Sequence, residues 1–162
     1  MLREGVYLPS KTPTPAETKS TRSRRAASSG FTLKMEVTIP ARIESISPLV
    51  ESVMAVVRTQ ARAKELEIET ALREALANAI KHGCSGDPSK FVQCQVVFEE
   101  GSSVLLVVSD PGAGFDPKSL PDPTVGKQLY KTHGRGIYLI NHLMDEVRFK
   151  RRGAEIHMRS HF

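Results

Sequence analysis

From Leu33 to Ile39 every second residue is apolar (Leu33, Met35, Val37, Ile39), and a period of two predicts a half-buried strand that stops at Pro40. The period then lengthens. Ser47 reads as an N-cap with Pro48 at the first helical position, and Leu49, Val50, Val53, Val57 and Ala61 form an apolar stripe carrying a helix to about Ala63. A second helix covers about Glu67 to His82. Its Ile68, Leu72, Leu76 and Ala79 fall on one stripe, and Glu74, Asn78 and Lys81 fall on the opposite one. Gly83 then suits a left-handed C-terminal turn.

Beyond a turn-forming loop, Cys84 to Lys90, the apolar segments Phe91 to Glu99 and Val104 to Ser109 predict a hairpin joined by Glu100-Gly101-Ser102. A second hairpin is predicted at Glu146 to Lys150 and Ala154 to Ser160, joined by Arg151-Arg152-Gly153. A short helix from about Gly136 to Met144 precedes it. The intervening segment, Asp110 to Lys131, is long and broken by prolines and glycines, which marks a functional loop or lid. This order predicts an α+β fold with the helices segregated on one face of a sheet and the polar stripe of the second helix turned toward the lid.

The totals fit one domain of ordinary size plus a tail: 162 residues, 40% of them hydrophobic. No apolar run has the length of a membrane span and the N-terminus lacks a secretory apolar stretch, so a cytoplasmic address is expected. The net charge of +5 is concentrated in residues 1–30, which hold six basic residues against two acidic ones and are rich in Pro, Ser and Thr. A disordered basic tail is expected there, with the folded domain at 31–162. The domain itself is near neutral, so no direct nucleic-acid binding is expected. Cys84 and Cys94 lack paired metal spacing and read as free thiols; a metal site using both with His82 is the sharper alternative.

Three constellations carry chemistry. Glu74 and Asn78 stand one helical turn apart, so an acidic oxygen and an amide oxygen project side by side, suited to a hydroxyl, a metal or both. Alone, such a pair is an ordinary solvated helix face. At Asp110 the sequence D-P-G-A-G-F follows an apolar strand; a carboxylate there can accept from an exocyclic amine such as adenine's, and Gly112 and Gly114 let backbone approach a flat ligand. The third, G-R-G-I-Y-L-I from Gly134, opens a helix with glycines whose amides suit an anion.

Taken in order, E-x-x-x-N, D-x-G-x-G and G-x-G before a helix resemble the GHKL ATP-binding fold over Leu33 to Phe162. Within that superfamily R-E-A-L-A-N-A-I-K-H-G, S-D-P-G-A-G-F-D-P and H-G-R-G-I-Y-L-I-N-H-L-M-D-E-V are similar to the bacterial anti-sigma factor serine-protein kinases. The resemblance implies a two-layer sandwich with a mixed, mostly antiparallel sheet. It also implies ATP and Mg2+, with Asn78 holding the metal and Glu74 orienting or deprotonating the attacking serine hydroxyl. Asp110 would receive the adenine amine, Gly112 and Gly114 would flank the base, and Gly134 and Gly136 would offer amides to the phosphates. Lys81 and Arg135 are candidates for charge stabilisation at the transferred phosphoryl.

The implied partners are a STAS-type anti-anti-sigma protein and a sigma factor, with no membrane; homodimerisation is left open. A sensor histidine kinase would need a phosphoacceptor histidine upstream, and the first helix has none. Residues 116–132 and the basic tail match no part of the family pattern. The competing reading is a catalytically silent module that binds nucleotide and controls a partner by capture.

Overall fold

The alternation after Phe31 produces β1 (Thr32–Pro40), whose Leu33, Met35, Val37 and Ile39 turn inward while Lys34, Glu36 and Thr38 face solvent. The computed structural model describes residues 31–115 and 135–162. After β1 come α1 (Ile46–Gln60), α2 (Glu65–Asn78), β2 (Phe91–Glu99), β3 (Ser103–Ser109), α3 (Arg135–Leu143), β4 (Glu146–Lys150) and β5 (Glu155–His161). The tail 1–30, residues 116–131 of the expected lid and Gly134 lie outside the described residues.

The strands form one sheet in the order β1-β2-β3-β5-β4. Each described pairing is antiparallel, so among these strands the sheet has none of the parallel pairing that a mixed sheet allows. Register sets the core: Val92, Cys94, Val96 and Phe98 of β2, Val104, Leu106 and Val108 of β3, and Ile156 and Met158 of β5 share one face. The helices cover that face. Val50, Val53, Met54 and Val57 of α1 and Ile68, Leu72 and Leu76 of α2 are fully buried against it, as is Ile140 of α3. This is the expected α+β sandwich.

Three local expectations are corrected. Helix α1 begins two residues earlier than the serine-proline signal predicts, with Ser45 as N-cap after a 3-10 turn at Ile43–Ser45. Pro48 is therefore third in the helix, where its missing N–H still costs no intrahelical bond. Ser47 is freed from capping, and its Oγ accepts from Arg73 Nη1 of α2 at 3.3 Å.

The second helix does not run regularly to His82. It leaves α geometry at Asn78 and closes with a π turn, Ala79–Gly83, in which the Cys84 amide donates to the Ala79 carbonyl at 2.7 Å. Such wide turns occur often at functional sites.

Gly83 is not the left-handed cap. Positive φ falls two residues later, at Ser85 (57°), and continues at Gly86 (68°), whose amide donates to Ile80 O at 3.0 Å.

Candidate functional site

The polar stripe of α2, the π turn, the end of β3 and the start of α3 enclose a cavity of about 830 Å³. That size suits a nucleotide-sized ligand. Glu74 and Asn78 form one wall, Lys81 and His82 continue it, and Asp110 stands at the far end. The floor is apolar: Val108, Ile140, Phe149 and Ile156, with Phe115 packed edge-on against Phe149 at a centroid distance of 5.7 Å.

Of the sequence-predicted residues, Glu74, Asn78, Lys81, Asp110, Gly112, Gly114 and Gly136 line this one cavity, and Gly134 lies outside the described residues. A Cβ at Gly136 would come within 2.6 Å of Glu74 Oε2 and 3.1 Å of Asn78 Nδ2. The first turn of α3 can therefore press onto the acid-amide pair only because residue 136 has no side chain. Glu74 and Asn78 are half-buried, and neither side chain has a hydrogen-bond partner among the described residues. Polar groups held so close to a cavity without protein partners are available to a ligand.

At the other end, Gly112 N donates to Asp110 Oδ1 at 2.8 Å, which fixes the carboxylate. Burial pushes the Asp110 carboxyl above the usual range, opposed by that amide and by the Arg151 and Lys90 cations. The space beside Gly112 and Gly114 is filled by protein rather than left for a flat ligand. A Cβ on Gly112 would lie 2.5 Å from the Gly83 carbonyl, and one on Gly114 (φ 80°) would overlap the Arg152 carbonyl. Both glycines still line the cavity, but their smallness serves the packing of its walls.

Lys81 lines the cavity as an exposed cation. Arg135 opens α3 and is not among the lining residues. The alternative metal site is overturned: Cys84 and Cys94 are buried, burial pushes the Cys94 thiol up to about 12, and no metal-ligating group of three occurs among the described residues. No described helix is long and apolar enough to cross a membrane.

Sequence reasoning missed Gly83, Lys90 and the Phe115–Phe149 pair as parts of the site. Phe115 stood in a quoted motif, but its partner is 34 positions away and only the β4–β5 register brings it near. Gly83 has a specific role: a Cβ there would overlap the Asp110 carboxylate carbon. Gly83→Ala is thus expected to leave the core folded and to rotate the carboxylate off its Gly112 amide. Adenine-nucleotide affinity should fall by about tenfold, read by calorimetry beside an unchanged far-ultraviolet dichroism spectrum.

Comparison with known proteins agrees with this geometry. The family model described as histidine kinase-like ATPase domain matches residues 39–160. The anti-sigma F factor of Geobacillus thermodenitrificans is 35% identical over 101 residues, covering 59% of this chain and 68% of that protein. The anti-sigma F factor of Bacillus cytotoxicus is 32% identical over 114 residues, 68% of each chain. That of Geobacillus stearothermophilus is 38% identical over 84 residues, half of this chain and 56% of its own. A matched family model over most of the folded domain, with the acid-amide wall and the strand-end carboxylate in one cavity, means that the chain belongs to the histidine kinase-like (GHKL) ATPase family, which includes the anti-sigma F factors.

Proposed function

We propose that the protein is an ATP-dependent serine/threonine-protein kinase that acts as an anti-sigma factor, sequestering a sigma factor and phosphorylating a serine of a STAS-type antagonist. The observation that carries the reading is the pair Glu74 and Asn78, one turn apart and uncommitted, pressed against Gly136 in the first turn of α3 at the edge of a nucleotide-sized cavity. The similarity to anti-sigma F factors supports the partners. A cytoplasmic site of action follows from a sigma factor as target.

In this mechanism Asp110 accepts a hydrogen bond from the adenine amine, and the apolar floor packs the base. The amides of Arg135 and Gly136 at the start of α3 meet the phosphates at the positive end of the helix dipole, with Gly134 the remaining glycine of that motif. Lys81 adds a cation near the transferred group. Asn78 offers the amide oxygen that suits Mg2+, a hard cation that would neutralise phosphate charge. Glu74 orients the incoming serine hydroxyl and takes its proton as the Oγ–P bond forms and the bond from the γ-phosphorus to the β–γ bridging oxygen breaks. ADP is the leaving group.

The test mixes the purified chain with ATP, Mg2+ and a STAS-domain antagonist and looks for phosphoserine by mass spectrometry. Phosphoserine with matching ADP release is expected. Nucleotide uptake without transfer assigns the chain to the capture module instead, and no uptake of ATP or ADP removes both readings.

A further inference from the structure

The turn between β4 and β5 is built against its own conformational preference. Arg151 (φ 49°), Arg152 (φ 56°) and Gly153 (φ 87°) all lie in the left-handed region. Side chains with a Cβ avoid that region, and runs of such residues persist only where the surroundings over-determine them. What holds this turn is the loop after β3. Phe115 N donates to the Arg152 carbonyl at 2.6 Å, Gly114 abuts the same carbonyl, and a Cβ on Gly153 would lie 2.6 Å from the Phe115 carbonyl.

The turn reaches the strand end as well. Asp110 N donates to the Ala154 carbonyl at 3.0 Å, and Ala154 N returns to the Arg151 carbonyl at 3.2 Å. From there the Arg151 guanidinium extends to Ser109, its Nη1 donating to Oγ at 2.8 Å. Ser109 is buried, so without that donor its hydroxyl loses the one hydrogen-bond partner it has among the described residues. Gly153 and Ala154 themselves line the cavity.

We infer that Arg151 is a positioning residue for base recognition: it holds the Ser109–Asp110 strand end so that the Asp110 carboxylate is aimed at an exocyclic amine, while Gly153 and Ala154 at the end of its turn form the second wall of the base pocket. The inference rests on the nucleotide reading above and adds a residue that none of the three motifs contains. Arg151 touches Ser109 rather than the base, so its effect is on which base is preferred. The other charged or titratable groups around Asp110 are Lys90, the Cys84 thiol and, along the cavity wall, Lys81 and His82.

The experiment compares ATP with inosine triphosphate, whose base carries a carbonyl where adenine carries the amine, for wild type, Arg151→Met and Arg151→Lys. Binding is measured by calorimetry with Mg2+ from pH 5 to 8, and the ratio of the two affinities cancels the titration of the triphosphate. Arg151→Met should weaken ATP by about tenfold and inosine triphosphate by less than about threefold. It should also move the acid limb of the ratio to higher pH, because Asp110 loses a neighbouring cation. Arg151→Lys should return the limb toward wild type while recovering only part of the ATP affinity, since a point charge does not reproduce the guanidinium fork. Equal losses on the two nucleotides, no loss, or an unmoved limb overturn the assignment. Failure of the wild type to bind ATP would instead remove the nucleotide reading, and this inference with it.

Discussion

Glu74→Gln is expected to lower single-turnover phosphoryl transfer to the antagonist serine by about 10²–10⁴-fold, with ATP affinity within about threefold of wild type. The choice of glutamine follows from the packing. Glu74 Oε2 occupies the gap beside Gly136 that a single methyl group would invade at 2.6 Å. Alanine would open that gap and let α3 settle onto α2, disturbing the phosphate end and the proton acceptor together. Glutamine keeps the volume and the contact and removes only the negative oxygen. Transfer within about threefold of wild type, with intact nucleotide binding, would remove Glu74 as proton acceptor and leave capture as the function.

Most of the fold was legible because hydrophobic period and turn chemistry agree along the chain. The strand Glu146 to Lys150 is observed with the predicted bounds, and the predicted start of the β3 strand is off by one residue. Errors fall where a tertiary contact decides a local question. Ser47-Pro48 carries the right residues for a helix start, yet Arg73 takes the serine hydroxyl and a 3-10 turn supplies an earlier beginning. Gly83 has the right identity for a helix stop, yet its smallness answers to Asp110, 27 positions on.

The site divides in the same way. Glu74, Asn78 and Asp110 line one cavity and were picked out by three motifs in order, whereas the spacing of the pair alone reads as an ordinary helix face. Gly112 and Gly114 were found for a reason that the packing replaces: the backbone that approaches them closely belongs to Gly83 and Arg152. Lys90 and Arg151 carry no local signal at all. A lysine before a strand and an arginine in a hairpin turn are ordinary surface residues until the sheet register brings their neighbourhood to the end of β3.

Asp110→Asn separates stability from binding, and the two should move in opposite directions. In the free protein the carboxyl is pushed upward first by burial, so the folded chain holds its proton more strongly than the unfolded chain does. The sign follows by linkage. Below the ordinary carboxylate range Asp110 is neutral in both states and costs nothing. As pH rises through that range toward the folded value, ionisation is easier in the unfolded chain and stability falls. Above the folded value the penalty is complete. Asparagine is neutral throughout and its Oδ1 can still accept from the Gly112 amide. The variant should therefore melt higher than wild type at pH 7, with the difference closing as pH falls through the carboxylate range. Nucleotide affinity should fall by at least about tenfold, since a charge-assisted acceptor for the adenine amine becomes a neutral one. Thermal melts from pH 3 to 8 beside ATP calorimetry read both effects. A lower melting temperature at pH 7 would mean that Asp110 is a structural carboxylate, and unchanged ATP affinity would move base recognition elsewhere in the cavity.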